Sequence, residues 1–188
     1  MSTALKAVAV IGSTSSASRT RSLALSILQQ LQQHLPLDIQ LVELVNIARP
    51  LGSALQRSEL TAEVELQLRR IENADLVLAA APVYRGAYPG LFKHLFDLID
   101  MDALINTPVL LAATGGSERH ALMLEHQLRP LFGFLQALTL PIGVYATAAD
   151  FDADQRPAGQ LQERIALAAE RAADVLGVAR GSQLRRIA

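Results

Sequence analysis

Five short, nearly continuous apolar runs punctuate the chain: Ala7–Ile11, Ile39–Leu44, Leu76–Ala81, Val109–Ala113 and Leu138–Tyr145. Runs that do not alternate with polar residues predict strands buried on both faces. Between them, apolar residues recur at helical spacing. Ala24, Ile27, Leu28, Leu31 and Leu35 share one face, and Pro36 ends that helix. Val64, Leu68 and Ile71 form a second stripe, Phe92, Leu95, Phe96 and Ile99 a third, and Leu124, Leu128, Leu131 and Leu135 a fourth. The last stripe carries Leu161, Ile165, Ala168, Ala172, Val175 and Leu176, with Gly177 as the expected C-cap. Residues 46–60 and 147–160 lack a period and are expected to be irregular. One domain is expected over residues 1–178, followed by a flexible tail over 179–188.

Strands that alternate with helices imply βαβ units, a parallel sheet and right-handed crossovers. Five strands in 188 residues suit an α/β, flavodoxin-like, five-stranded parallel sheet of order 2-1-3-4-5 with helices on both faces. Such sheets bind ligands beyond the carboxyl ends of their strands, at the switch point. The loops after strands one, three and four are therefore where chemistry is sought.

The first loop, Gly12 to Ser22, is rich in hydroxyls and holds Arg19 and Arg21 at the start of a helix. Donors, a helix N-terminus and positive charge together suit a phosphate monoester. The Gly-Lys-Ser/Thr ending of a Walker loop and the second and third glycines of a dinucleotide fingerprint are both missing, which favours a mononucleotide. The plainer reading is a polar loop that caps the helix. The second loop, Pro82-Val83-Tyr84-Arg85-Gly86-Ala87-Tyr88-Pro89-Gly90, sets two of the three tyrosines on a backbone stiffened by prolines. It suits a flat heteroaromatic ligand, and equally a structural turn that closes a core edge. The third loop, Thr114-Gly115-Gly116-Ser117, lets backbone N–H groups approach a ligand, such as the N1–C2=O edge of a flavin; a simple turn with Ser117 as N-cap is the other reading.

Composition narrows the classes. Hydrophobic residues make up 51% of the chain, which excludes a disordered protein. A net charge of −1 gives no basic stripe for nucleic acid. The absence of cysteine removes disulfides, thiolate metal sites and a Cys nucleophile. No leader-like N-terminus and no run of membrane-spanning length are seen, so a soluble, cytoplasmic protein is expected. The four histidines are scattered without ligand spacing, and no metal site is expected; His120 either borders the ligand or packs. Lys93 and Asp97, at i and i+4, read as a surface pair or a subunit contact. The apolar third and fourth stripes exceed what one small sheet needs to cover, so a homo-oligomer is expected.

Taken together, Gly12-Ser13 with its Ser/Arg-rich loop, Pro82-Val83-Tyr84 with Tyr88-Pro89-Gly90-Leu91-Phe92-Lys93, and Thr114-Gly115-Gly116 resemble the NAD(P)H-dependent FMN reductases over about residues 5–177. Ala113 to Ser117, His120 and Leu128-Arg129-Pro130-Leu131 resemble more closely the reductases of alkanesulfonate utilisation, the methanesulfonate-linked branch above all. The resemblance implies that NADH or NADPH gives hydride to N5 of FMN, with no side chain acting as a catalytic acid or base. Reduced flavin would then pass to a partner flavin-dependent sulfonate monooxygenase. It implies that Ser13, Ser18, Arg19, Thr20 and Arg21 hold the phosphate, that Pro82, Val83, Tyr84 and Arg85 line the ring, and that Thr114, Gly115 and Gly116 meet its polar edge. It implies a homodimer or homotetramer. In the alkanesulfonate branch a tyrosine insertion makes a π-bulge in the fourth helix, at a tetramer interface. Here the matching position is His126, and Pro130 and Gly133 also disturb regular helix, so an irregular fourth helix is expected.

Three other readings use the same residues. One is a quinone or azo reductase that keeps FMN bound. Another is a flavodoxin-type electron carrier, although such carriers are typically very acidic. The third is a regulatory module that binds a different nucleotide in the phosphate loop.

Overall fold

The computed structural model describes residues 4–187, with side chains placed through Gly177. β1 (Leu5–Ile11), β2 (Leu37–Glu43), β3 (Leu76–Pro82) and β4 (Pro108–Thr114) form a parallel sheet in the order β2-β1-β3-β4. β5 (Leu138–Thr139) and β6 (Val144–Ala146) complete it, and both lie along β4. The flavodoxin-like order 2-1-3-4-5 therefore holds, and the switch point falls between β1 and β3.

The continuous apolar runs are buried on both faces. Val8 and Val10 of β1, Val77 and Ala79 of β3 and Val109 and Leu111 of β4 point into one core. Ala7, Ala9, Leu76, Leu78, Leu110 and Ala112 point into the other. The first core is closed by α2 (Leu44–Ser53), α3 (Ala62–Glu72), α4 (Gly90–Asp97) and α5 (Arg129–Phe134). The second is closed by α1 (Arg19–His34) and α6 (Gln160–Ile187).

Three expectations from the sequence pattern are changed by the structure. The fifth run, expected as one strand over Leu138–Tyr145, is split. Pro141 in the middle has no N–H to give the ladder. Gly143 follows, and a Cβ there would sit 3.0 Å from Leu124 Cδ1 and 3.2 Å from Leu111 O. The stretch expected to be irregular from residue 46 is largely α2, with Pro50 inside it. An interior proline costs about 3 kcal/mol, but Leu44, Ile47 and Leu51 are fully buried on one stripe. At about 1.5–3 kcal/mol per buried side chain, that stripe outweighs the proline. Gly177, expected to cap the last helix, lies within α6 instead. The side chains on either side of the expected 178/179 boundary between domain and tail lie outside the described residues.

The irregular fourth helix expected from the sequence is present. Leu124–Leu128 form a π-helical turn that leads into α5, and His126 lies inside it. Arg129 N–H reaches back five residues to Leu124 O. Pro130 explains the widening: in a regular turn its ring would press on the carbonyl four residues earlier. Arg129 ties the turn down, with its guanidinium paired to Glu125 and one N–H donated to Leu140 O at 3.0 Å.

Candidate functional site

The carboxyl ends of β1, β3 and β4 open into a cleft of about 350 Å³. Ser13, Ser18, Arg19, Thr20, Pro82, Val83, Tyr84, Thr114, Gly115 and Gly116 line it together. Ten of the twelve residues expected to bind ligand thus share one concavity, although they come from three loops.

The first loop leaves β1 at Gly12, whose N–H donates to Ala80 O at 2.7 Å. A Cβ at this position would stand 2.6 Å from Phe92 Cδ2, so only glycine lets the chain pass beneath α4. Ser13 is buried, and its Oγ accepts from Ser15 N at 3.1 Å, which curls the loop. Ser18 occupies the N-cap of α1 in extended conformation, yet its side chain makes no capping bond. Among the described residues the N–H groups of Arg19, Thr20 and Arg21 have no partner. A helix start with free N–H groups, an uncommitted N-cap hydroxyl and a neighbouring cation is the donor set that a phosphate monoester requires. Arg19 supplies the cation: it is exposed and lines the cleft.

The opposite wall is Pro82, Val83 and Tyr84. Val83 N donates to Thr114 O at 2.7 Å, and Tyr84 and Ala87 exchange backbone bonds across a tight turn. These bonds hold the Tyr84 ring, 45% exposed, on a fixed backbone. The third loop departs from expectation. Gly115 N donates to Ala146 O at 2.9 Å, so its N–H is not available to a ligand. Gly116 N–H has no partner among the described residues. Gly115 is needed for a different reason, since a Cβ there would lie 2.0 Å from the Tyr145 hydroxyl. That hydroxyl donates to Ser117 O at 2.6 Å. Burial, and then the charge of Asp150, hold its pKa above the ordinary tyrosine value, so it stays a donor.

Arg21 and Arg85 do not line the cleft. Arg21 Nε donates to Glu43 Oε1 at 2.8 Å, against β2. Arg85 is exposed at the tip of its turn, in the left-handed region at φ 54°. Thr147, Ala148 and Gln155 line the cleft and were missed. They follow β6, whose existence was hidden by the split strand. The Thr147-x-x-Asp150 spacing was the available signal: Asp150 Oδ2 accepts from Thr147 N at 2.6 Å and from Thr147 Oγ1 at 2.8 Å.

The histidines lie elsewhere. His94 Nε2 contacts Ala54 O at 2.8 Å and packs α4 on α2. His126 lines an apolar groove between α4 and α5 with Tyr88, Phe96, Pro130 and Phe134. Lys93 and Asp97 pair on the rim of the same groove. Among the described residues no group of three or more His, Cys, Asp or Glu is placed to hold a metal ion. No described helix is long and apolar enough to cross a membrane.

Comparison with known proteins points the same way as the geometry. The family model described as NADPH-dependent FMN reductase matches residues 5–152. The chain is 64% identical over 177 residues to the NADH-dependent FMN reductase SfnF of Pseudomonas fluorescens, covering 94% of this chain and 95% of that one. It is 59% identical, with the same coverage, to an FMN reductase (NADPH) of Pseudomonas aeruginosa. Among solved structures, an oxidoreductase from Corynebacterium diphtheriae superimposes with a TM-score of 0.83 at 32% identity, over 93% of this chain and 98% of that one.

Proposed function

We propose, from the premise that the chain belongs to the NADPH-dependent FMN reductase family, that it binds FMN in the cleft at the ends of β1, β3 and β4 and reduces it with NADH or NADPH. The observation that carries this reading is the uncapped start of α1, where free N–H groups, the Ser18 hydroxyl and Arg19 face one cleft.

Each wall has a separate task. Ser13, Ser18, Arg19 and Thr20 hold the phosphate, the N–H groups of the first helical turn as donors and Arg19 as counter-charge. Arg21 adds positive charge from behind the loop while paired with Glu43. Pro82, Val83 and Tyr84 press on the flat ring, and Arg85 overhangs it from the turn. Gly116 N–H, beside Thr114 and Gly115, meets the polar edge and favours the charge that develops there on reduction. FMN, when bound, supplies the hydride acceptor at N5. The protein's own part is to position the ring and leave its outer face open to the donor. No side chain acts as acid or base.

The likeness of the Ala113–Ser117 and Leu128–Leu131 segments to alkanesulfonate-utilisation reductases supports a two-component role in the cytoplasm. Reduced flavin leaves the open cleft for a flavin-dependent sulfonate monooxygenase. One domain over residues 1–178 carries the reaction. The groove of about 600 Å³ between α4 and α5, with Phe134 74% exposed beside it, supports self-association as a homodimer or homotetramer.

Anaerobic spectrophotometry tests the reading. Catalytic protein should bleach excess FMN completely when NADH or NADPH is added. A protein that bleaches only one equivalent of flavin would act on another acceptor, and one that bleaches none would be a carrier or a binding module.

A further inference from the structure

The cleft continues past its flavin-binding walls. Beyond Gly116 it opens into a second recess formed by Gly116, Ser117, Glu118, Arg119, Thr147 and Ala148. Gly116, Thr147 and Ala148 belong to both hollows, so a ligand that fills the first can extend into the second without leaving the surface. Both walls are held rigid. On one side Tyr145 Oη donates to Ser117 O, so that carbonyl is already engaged. On the other, Asp150 fastens Thr147 through two hydrogen bonds.

Arg119 is the cation of this recess. It is exposed, and among the described residues it makes no ion pair. Glu118 is the one anionic side chain on the same walls, and it too is exposed, where solvent screens it. Nothing in the fold requires an unpaired guanidinium here. The other cations near the cleft are differently placed: Arg19 stands over the start of α1, Arg21 is paired with Glu43, and Arg85 is at the tip of the opposite turn.

We propose that this recess takes the diphosphate of the nicotinamide donor, with Arg119 as its counter-ion. The inference rests on the functional reading above. A dihydronicotinamide ring laid on the outer face of a flat ligand in the first hollow is tethered by one ribose to a diphosphate. That group must therefore settle beside the cleft. A dianion leaving water requires a cation and several donors. Arg119 offers a planar fork suited to two phosphate oxygens, and the Ser117 N–H, without a partner among the described residues, belongs to the same wall. The separation of tasks follows: Arg19 reads the phosphate of FMN, and Arg119 reads the donor.

The test uses a donor with no phosphate. Steady-state kcat/KM is measured with saturating FMN for NADH and for 1-benzyl-1,4-dihydronicotinamide, in the wild type, Arg119→Ala and Arg119→Lys. The NADH-to-benzyl ratio of kcat/KM should fall about tenfold in Arg119→Ala, the loss of one charge-assisted contact, through KM rather than kcat. Arg119→Lys should recover part of it. An unchanged ratio, or an equal loss with both donors, would overturn the assignment. A wild-type protein that oxidises neither donor in the presence of FMN would instead remove the functional reading on which the assignment stands.

Discussion

Thr20, in the first turn of α1, and Thr114, the last residue of β4, share a 2.7 Å hydrogen bond across 94 residues of sequence. Both are buried, at 1% and 8% exposure. The bond joins the element proposed to hold the phosphate to the strand end proposed to meet the ring. Two parts of the site are thereby fixed relative to each other before any ligand arrives.

Breaking that bond from one side should be costly. Thr20→Val leaves the Thr114 hydroxyl buried and unpartnered, and should lower stability by about 1–3 kcal/mol. Thr114→Val should behave alike. The double variant should lose less than the sum, because neither hydroxyl is then left alone. Chemical denaturation of the three variants measures the coupling; strict additivity would mean that the bond contributes nothing.

Arg19→Ala should weaken FMN binding at least about tenfold, the loss of one charge-assisted contact. Being exposed, Arg19 should leave the stability of the ligand-free protein within about 0.5 kcal/mol of wild type. Arg21→Ala should weaken FMN less, since Arg21 is engaged by Glu43. Fluorescence titration of FMN into both variants orders them, and a larger effect at Arg21 would reverse the assignment.

Gly115 and Tyr145 should behave as a pair. Gly115→Ala places a methyl 2.0 Å from Tyr145 Oη, so the strand end or the ring must move. Overpacking of this kind costs about 1–3 kcal/mol and should displace Gly116 N–H from the ligand. Removing the hydroxyl with Tyr145→Phe leaves 3.0 Å to the ring carbon as the nearest approach. Part of both stability and FMN affinity should therefore return in the double variant. Thermal melts with and without FMN check this, and a Gly115→Ala protein indistinguishable from wild type would refute it.

The π-helical turn carries a pH dependence. The Arg129 guanidinium holds the Glu125 carboxyl below its ordinary value of 4.5. A group whose folded pKa is depressed stabilises fully above its unfolded pKa and loses that contribution as pH falls through the folded value. Acidification below about pH 4.5 should therefore weaken the turn, modestly, because Glu125 is 46% exposed. Glu125→Gln should flatten the fall in stability over that acidic range while leaving a small deficit at neutral pH. Denaturation midpoints at several pH values, identical in slope for both proteins, would contradict this.

The sequence was legible where burial wrote it. β1, β3 and β4 are apolar on both faces, and continuous apolar runs have no other common cause. The loops that follow them were found because the sheet topology says where to look. What escaped depends on partners far away in sequence. Glu43, which engages Arg21, is 22 residues distant. Ala146 O, which takes the Gly115 N–H, belongs to a strand hidden behind Pro141. Residues 46–60 read as irregular because the packing of Leu44, Ile47 and Leu51, which holds α2 together around Pro50, is not visible in a sequence. The π turn was foreseen as an irregularity from Pro130, Gly133 and a resemblance that pointed to His126, and its bounds, Leu124–Leu128 around that residue, came from the structure.

The central claim is that the first turn of α1 grips the phosphate of FMN, and calorimetric titration of FMN and of riboflavin into the wild-type protein tests it most directly. The two ligands share the ring and differ in the phosphate. FMN should bind at least about thirtyfold tighter, equivalent to about 2 kcal/mol, and the advantage should shrink with added salt. Equal affinity for the two ligands would contradict the claim.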